Sequence, residues 1–115
     1  MPAITTPLQL ALRYMEIFYG GCDLEKLAKL FSDNLQFEGP LYRFHSAAEY
    51  LQSLQRDPPS EMQYEIMQQF SNDTQACLIY RFHKPGFSTL MAQAFESKHN
   101  KLCKIYLIFD SKALT

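Results

Sequence analysis

Hydrophobic positions along this chain follow two periods, helical over roughly the first half and alternating over the second. From Leu8 to Phe18 the polar residues Gln9, Arg13 and Glu16 fall on one narrow line that continues to Gly20. The rest of that segment (Leu10, Ala11, Tyr14, Met15, Ile17 and Phe18 among it) forms a broad apolar arc, which predicts a helix covered on most of its circumference. Thr6 and Pro7 suit the N-cap and the first helical position, and Gly20-Gly21 suits its end. Asp23 can cap a second helix whose buried line is Leu24, Leu27, Ala28 and Phe31. Glu25 and Lys29 are spaced i,i+4 on its exposed side.

Ser32-Asp33-Asn34 is turn chemistry. Leu35, Phe37 and Gly39 then alternate with Gln36 and Glu38, predicting a half-buried strand that Pro40 stops. Leu41–Phe44 is a candidate for a short second piece. Ser46-Ala47-Ala48-Glu49 has the pattern of a capping box and opens a third helix burying Ala47, Tyr50, Leu51 and Leu54. Asp57-Pro58-Pro59 ends it.

Beyond this point the period becomes that of strands. Residues 62–70 alternate, and 76–82 are apolar apart from Arg81, as in a strand buried on both faces. Residues 87–96 and 102–110 complete a set of four, with turns at Lys84-Pro85-Gly86 and Lys98-His99-Asn100. In the last strand Cys103, Ile105, Leu107 and Phe109 make one wholly apolar face. Helices followed by hairpin-linked strands predict an α+β fold: three N-terminal helices packed on a strongly curved, mostly antiparallel sheet. Such a sheet folded around a long helix leaves a conical cavity, its mouth ringed by loops and helix ends.

Composition narrows the function classes. A chain of 115 residues is expected to form one domain, with its core over about 7–110. The formal net charge of −1 offers no basic stripe for nucleic acid. No apolar run reaches the length of a membrane span, and Met1–Thr6 lacks the basic and apolar regions of a signal peptide. Three cysteines without a CxxC pair read as free thiols in a reducing compartment, so the cytoplasm is the expected location. His83, His99 and the cysteines show no metal-ligand spacing, and no phosphate loop, nucleophile elbow or dinucleotide fingerprint is present; no cofactor is expected. Nine Phe and seven Tyr without a Trp suit a strand-rich core, and several tyrosines could also place hydroxyls in an apolar pocket.

The order of elements, with Leu12-Arg13-Tyr14, Asp23-Leu24-Glu25, Leu30 to Asn34 leading into Phe37-Glu38-Gly39-Pro40, and His45 to Leu51, resembles the nuclear transport factor 2-like superfamily. Lys101-Leu102 and Ile108-Phe109-Asp110 extend the likeness to the last strand, and its SnoaL-like and ketosteroid-isomerase-like members are the nearest in pattern. The resemblance implies a cystatin-like, cone-shaped α+β barrel that dimerises through the outer face of its sheet. In ketosteroid-isomerase-like members an acid followed by proline ends the first strand and shuttles the substrate proton. Here Gly39 precedes Pro40, and the adjacent Glu38 would point to the opposite face. Tyr14 matches the family's oxyanion donor, while Ala92 falls where the second oxyanion acid is expected. The Asp-Arg-Asp set of limonene epoxide hydrolase-like members has no counterpart around Arg81. The resemblance therefore implies the scaffold without the isomerase acids.

Two readings stand side by side. In the first the chain is a non-catalytic, dimeric module with an apolar pocket for a small hydrophobic ligand, lined by Tyr14, Phe37, Leu90, Ala92, Ile105, Leu107 and Phe109. In the second it is a small isomerase, lyase or hydrolase. Tyr14 is then the hydrogen-bond donor, and Glu38, His45 or Glu96 supplies acid/base chemistry. Each of these has a plainer reading: Tyr14 as a satisfied core tyrosine, Glu38 as a solvated carboxylate, His45 as a loop histidine and Glu96 as a salt-bridge partner. Glu38 could serve only if a bulge at Gly39 turned it inward. Glu96 shares its strand face with Leu90 and Ala92.

Overall fold

The computed structural model describes residues 5–114, so the reading of the first four residues lies outside it. Helix α1 (Pro7–Tyr19) begins with a complete capping box: Thr6 Oγ1 accepts from the Gln9 N–H at 3.1 Å, and Gln9 Oε1 accepts from the Thr6 N–H at 2.9 Å. Its exit turn places Gly21 at φ 110° and Cys22 at φ 54°. Gly20 has an ordinary φ but is needed for space, since a Cβ there would sit 2.5 Å from the Glu16 carbonyl oxygen. Helix α2 (Leu24–Ala28) is capped by Asp23, whose Oδ1 accepts from the N–H groups of Glu25 and Lys26.

The α2 helix ends earlier than its buried line implies. Leu30 N–H turns back onto the Leu27 carbonyl, Ala28 is exposed, and Phe31 is the first residue of strand β1 (Phe31–Glu38). Ser32-Asp33-Asn34 consequently lies inside β1 and does not precede it. There β1 pairs in parallel with strand β6 (Lys101–Ile108), and the register runs from Phe31 opposite Leu102 directly to Gln36 opposite Lys104. The extra residues of β1 bulge out, with Ser32 Oγ donating to Asn34 Oδ1 at 2.9 Å. Strand β2 (Arg43–Phe44) pairs with the end of β1, setting Phe37 opposite Phe44. Helix α3 (Ala47–Arg56) is capped by Ser46, whose Oγ accepts from the Glu49 N–H. The return bond from Glu49 Oε2 takes the N–H of His45, one residue before the cap.

Strands β3 (Gln63–Ser71), β4 (Gln75–Lys84) and β5 (Phe87–Lys98) complete a sheet ordered β2-β1-β6-β5-β4-β3. Every neighbouring pair except β1–β6 is antiparallel. The sheet stays open, with β2 and β3 as its edges, and the fold is α+β with the three helices on one side of a mostly antiparallel sheet. Two-residue turns join β4 to β5 at Pro85-Gly86 (Gly86 φ 78°) and β5 to β6 at His99-Asn100 (φ 54° and 61°). No helix among the described residues is long and apolar enough to cross a membrane.

The faces of the strands follow from these turns. Pro85-Gly86 places Lys84 opposite Phe87, and therefore Tyr80 opposite Met91 and Leu78 opposite Gln93. The buried side of β4 is Ala76, Leu78, Tyr80 and Phe82, so the buried side of β5 is Met91, Gln93 and Phe95. This corrects the expectation that Leu90, Ala92 and Glu96 look inward: they lie on the outer face, and Leu90 is exposed. A register shift between Glu96 and Ser97, beside Cys103, then brings Ile105 opposite Phe95 and turns the apolar odd face of β6 inward. A second shift, between Ile66 and Gln68, sends the last part of β3 to the other side, so Phe70 joins the outer face.

Candidate functional site

Between α1, α3 and the inner face of the sheet lies a cavity of about 460 Å³. Its wall is aromatic. Tyr14 from α1 stacks on Phe18 at 5.6 Å, and Tyr50 from α3 stacks on Phe37 of β1 at 4.7 Å. Leu107 and Phe109, from β6 and the residues just after it, close a further side. Its charged lining residues, Arg56 and Asp57, are exposed at the end of α3 beside Pro58 and Pro59. Leu41 and Tyr42, both exposed, line the same opening from the β1–β2 connection.

The deep polar groups are hydroxyls and one amide. Tyr14 and Tyr50 share a hydrogen bond between their hydroxyls, and Tyr80 Oη donates to Gln93 Oε1 at 2.8 Å. All four side chains are buried, Gln93 at 3% exposure, and no buried side-chain polar atom among the described residues lacks a partner. Burial raises the phenols of Tyr14, Tyr50 and Tyr80 above their ordinary range, because an ionised oxygen would lose its water there. Tyr19 is pushed up to about 12 for the same reason. The site therefore presents neutral hydroxyls and an amide at any ordinary pH.

Several residues singled out from the sequence meet here, and others do not. Tyr14, Phe37, Leu107 and Phe109 line the cavity. Ile105 is fully buried in the core and does not line it. Leu90 and Ala92 are on the far side of the sheet for the register reason given above. Glu38 points to solvent and pairs with Arg43 at 2.6 Å; the bulge in β1 lies upstream of Gln36, not at Gly39, so nothing turns it inward. His45 is exposed at the start of α3. Glu96 is on the outer face, where its Oε1 accepts from Gln75 at 3.3 Å and its backbone carbonyl from the Cys103 thiol at 3.4 Å. Arg81 also lies on the outer face, opposite Leu90.

Gly39 does line the cavity, at the position where the resemblance places an acid. A Cβ built there would make ordinary 3.5 Å contacts with Leu107 and Phe37, so the site has room for a side chain that it lacks. Sequence reasoning missed Tyr80 and Gln93, and counted Tyr50 only as a core residue. The signal for Gln93 was available: the Pro85-Gly86 hairpin ties the face of β5 to the buried face of β4, whereas small apolar residues at Ala92 and Ala94 suggested the other parity. Among the described residues, no group of three or more His, Cys, Asp or Glu could hold a metal ion.

No protein-family model matches the chain, and no curated protein matches it in sequence. Solved structures do match in fold. An NTF2-like protein of unknown function from Cytophaga hutchinsonii superposes with a TM-score of 0.83 at 18% identity, covering 99% of this chain and 98% of its own. A candidate SnoaL-like polyketide cyclase from Shewanella denitrificans gives 0.81 at 17%, covering 94% and 93%. An epoxide hydrolase of limonene-epoxide-hydrolase type from Mycobacterium tuberculosis gives 0.79 at 12%, covering 97% and 88%. At these identities the likeness establishes the NTF2-like fold, on which neighbours with different names are built.

Proposed function

We propose that this protein is a dimeric binding module whose cavity accepts a small, uncharged, hydrophobic molecule. One observation carries the reading: among the described residues the cavity's interior offers tyrosine hydroxyls and an amide, its one lining carboxylate, Asp57, stands exposed at the mouth, and Gly39 is where a catalytic acid would stand. An apolar wall with a few convergent polar groups is the usual make-up of a small-molecule site. Without an interior cation, a carboxylate ligand would have to be desolvated unpaired, which costs several kcal/mol. The three free thiols agree with a reducing compartment such as the cytoplasm.

Dimerisation is supported by the outer face of the sheet. Register places Phe70, Cys77, Ala94 and Tyr106 in one row and Gln68, Ile79, Ala92 and Ile108 in the next. Ile108 is 64% exposed, an exposure better suited to an interface than to solvent.

Calorimetric titration with a matched pair of probes tests the binding reading. A naphthyl methyl ketone should bind saturably at pH 7. The corresponding naphthoate, equal in shape but charged, should bind at least about 100-fold more weakly, or about 2.7 kcal/mol. Equal or tighter binding of the carboxylate would overturn the reading.

A further inference from the structure

The exposed large hydrophobic residues among those described fall into two groups. Most belong to the outer face of the sheet or to its β3 edge, where the dimer proposed above would cover them. Leu41 and Tyr42 stand apart: they are 48% and 60% exposed and line the mouth of the cavity. Isolated apolar residues on a surface need no explanation, but these two share one opening with Pro40, Pro58 and Pro59. A turn at the end of a strand is ordinarily polar, so an apolar rim here calls for something that covers it.

The turn holds both side chains at the opening. Gly39 N–H donates to the Tyr42 carbonyl at 2.9 Å, and Pro40 fixes one backbone dihedral between them. The Glu38–Arg43 ion pair flanks the turn where β1 meets β2. The Tyr42 ring lies nearly parallel to that of Phe44, at 13° with centroids 6.1 Å apart, and Phe44 packs on Tyr50 at 5.5 Å. An aromatic strip thus runs from the mouth into the interior. Across the opening the rim carries the charged Arg56 and Asp57, which an apolar chain would desolvate at a cost. A hydrocarbon leaving the interior is therefore received on the Tyr42 side.

We propose that Leu41 and Tyr42 form a rim subsite that selects ligand length. The bound molecule is elongated and uncharged, with one end in the tyrosine-lined interior and an apolar remainder crossing the mouth against Leu41 and the Tyr42 ring. This rests on the binding reading above and adds to it a class of ligand longer than the interior. A methylene taken fully out of water is worth about fourfold in affinity, and one laid half-covered on a rim about twofold.

The test compares naphthyl methyl ketone with naphthyl pentyl ketone, which differ only in chain length, by calorimetric titration of three proteins. Wild type should bind the pentyl ketone at least about tenfold more tightly than the methyl ketone. In the double variant Leu41→Ser, Tyr42→Ser this preference should fall below about threefold, most of the loss falling on the pentyl ketone. Tyr42→Phe should keep the wild-type preference, because the ring and not the hydroxyl makes the contact. Both positions are exposed, and circular dichroism checks that the variants are folded. A preference that survives in the double variant places the added methylenes inside the cavity and overturns the rim subsite. Equal weakening of both ketones, or no preference in wild type, overturns it as well. In each of these cases the methyl ketone still binds wild type and the binding reading stands, whereas failure of the methyl ketone to bind wild type overturns both.

Discussion

Gly39 is the residue on which the chemistry of the cavity turns. It lines the site, its φ is not left-handed, and the space beyond its Cα would admit a Cβ at ordinary contact distance. Gly39→Ala should therefore fold with a stability within about 1 kcal/mol of wild type. Gly39→Asp should behave differently. A carboxylate placed against Phe37 and Leu107 is desolvated, so its folded pKa rises above the ordinary value near 3.9. Between the two values the unfolded chain binds fewer protons than the native one, and stability falls as pH rises. Relative to Gly39→Ala, the aspartate should cost about 2 kcal/mol at pH 7 and recover as pH falls toward 4, measured by urea unfolding. A difference independent of pH would mean that the new side chain reaches water. Single residues of this kind were legible in sequence where their neighbours fix the backbone, as with Gly39 before Pro40. Gln93 was not: a polar residue between Ala92 and Ala94 signals exposure, and only its pairing with Leu78 across the hairpin shows that it is buried.

At the scale of elements, capping chemistry proved the most readable signal. Thr6, Asp23 and Ser46 each cap the helix they precede, because a short acceptor side chain serves orphan N–H groups wherever the chain enters a helix. Helix α1 carries Tyr14 into the cavity and relies on the reciprocal Thr6–Gln9 pair. Thr6→Ala should lower stability by about 1 kcal/mol in urea unfolding, with ketone binding unchanged once the protein is folded. A loss of affinity in the folded variant would show that the cap also sets the position of Tyr14. Strand irregularities were the least readable elements. The bulge after Phe31, the shift beside Met67 and the shift beside Cys103 each change which residues look inward, and each arises from pairing with a distant partner strand. Ser32-Asp33-Asn34 illustrates the limit: its turn-forming side chains are used, but inside a strand whose ends are held by β6.

Across the whole molecule, the two sides of the sheet have divided tasks. The inner face packs the helices and leaves the cavity, while the outer face presents Leu90, Tyr106 and Ile108 to solvent. If that face joins two copies, the wild type should sediment at twice the 13.4 kDa of one chain, and Ile108→Lys should bring it to the single-chain mass with its fold intact by circular dichroism. A wild-type protein of 13.4 kDa at micromolar concentration would contradict the dimer. The overall order of helices and strands was legible because hydrophobic period and turn residues agree along the chain. The make-up of the cavity was not, since it depends on which strand faces converge.

The central claim is that the cavity binds without an ionising group in its interior, its charged residues Arg56 and Asp57 standing at the mouth. Tyr14, Tyr19, Tyr50 and Tyr80 all hold their protons past the ordinary phenol value, so none of them changes charge between pH 5 and 9. The most direct test is the dissociation constant of the naphthyl methyl ketone for wild-type protein across that range. The account predicts a constant value within about twofold. An inflection inside the range, or consumption of the ketone, would place a titrating acid or base in the cavity and contradict it.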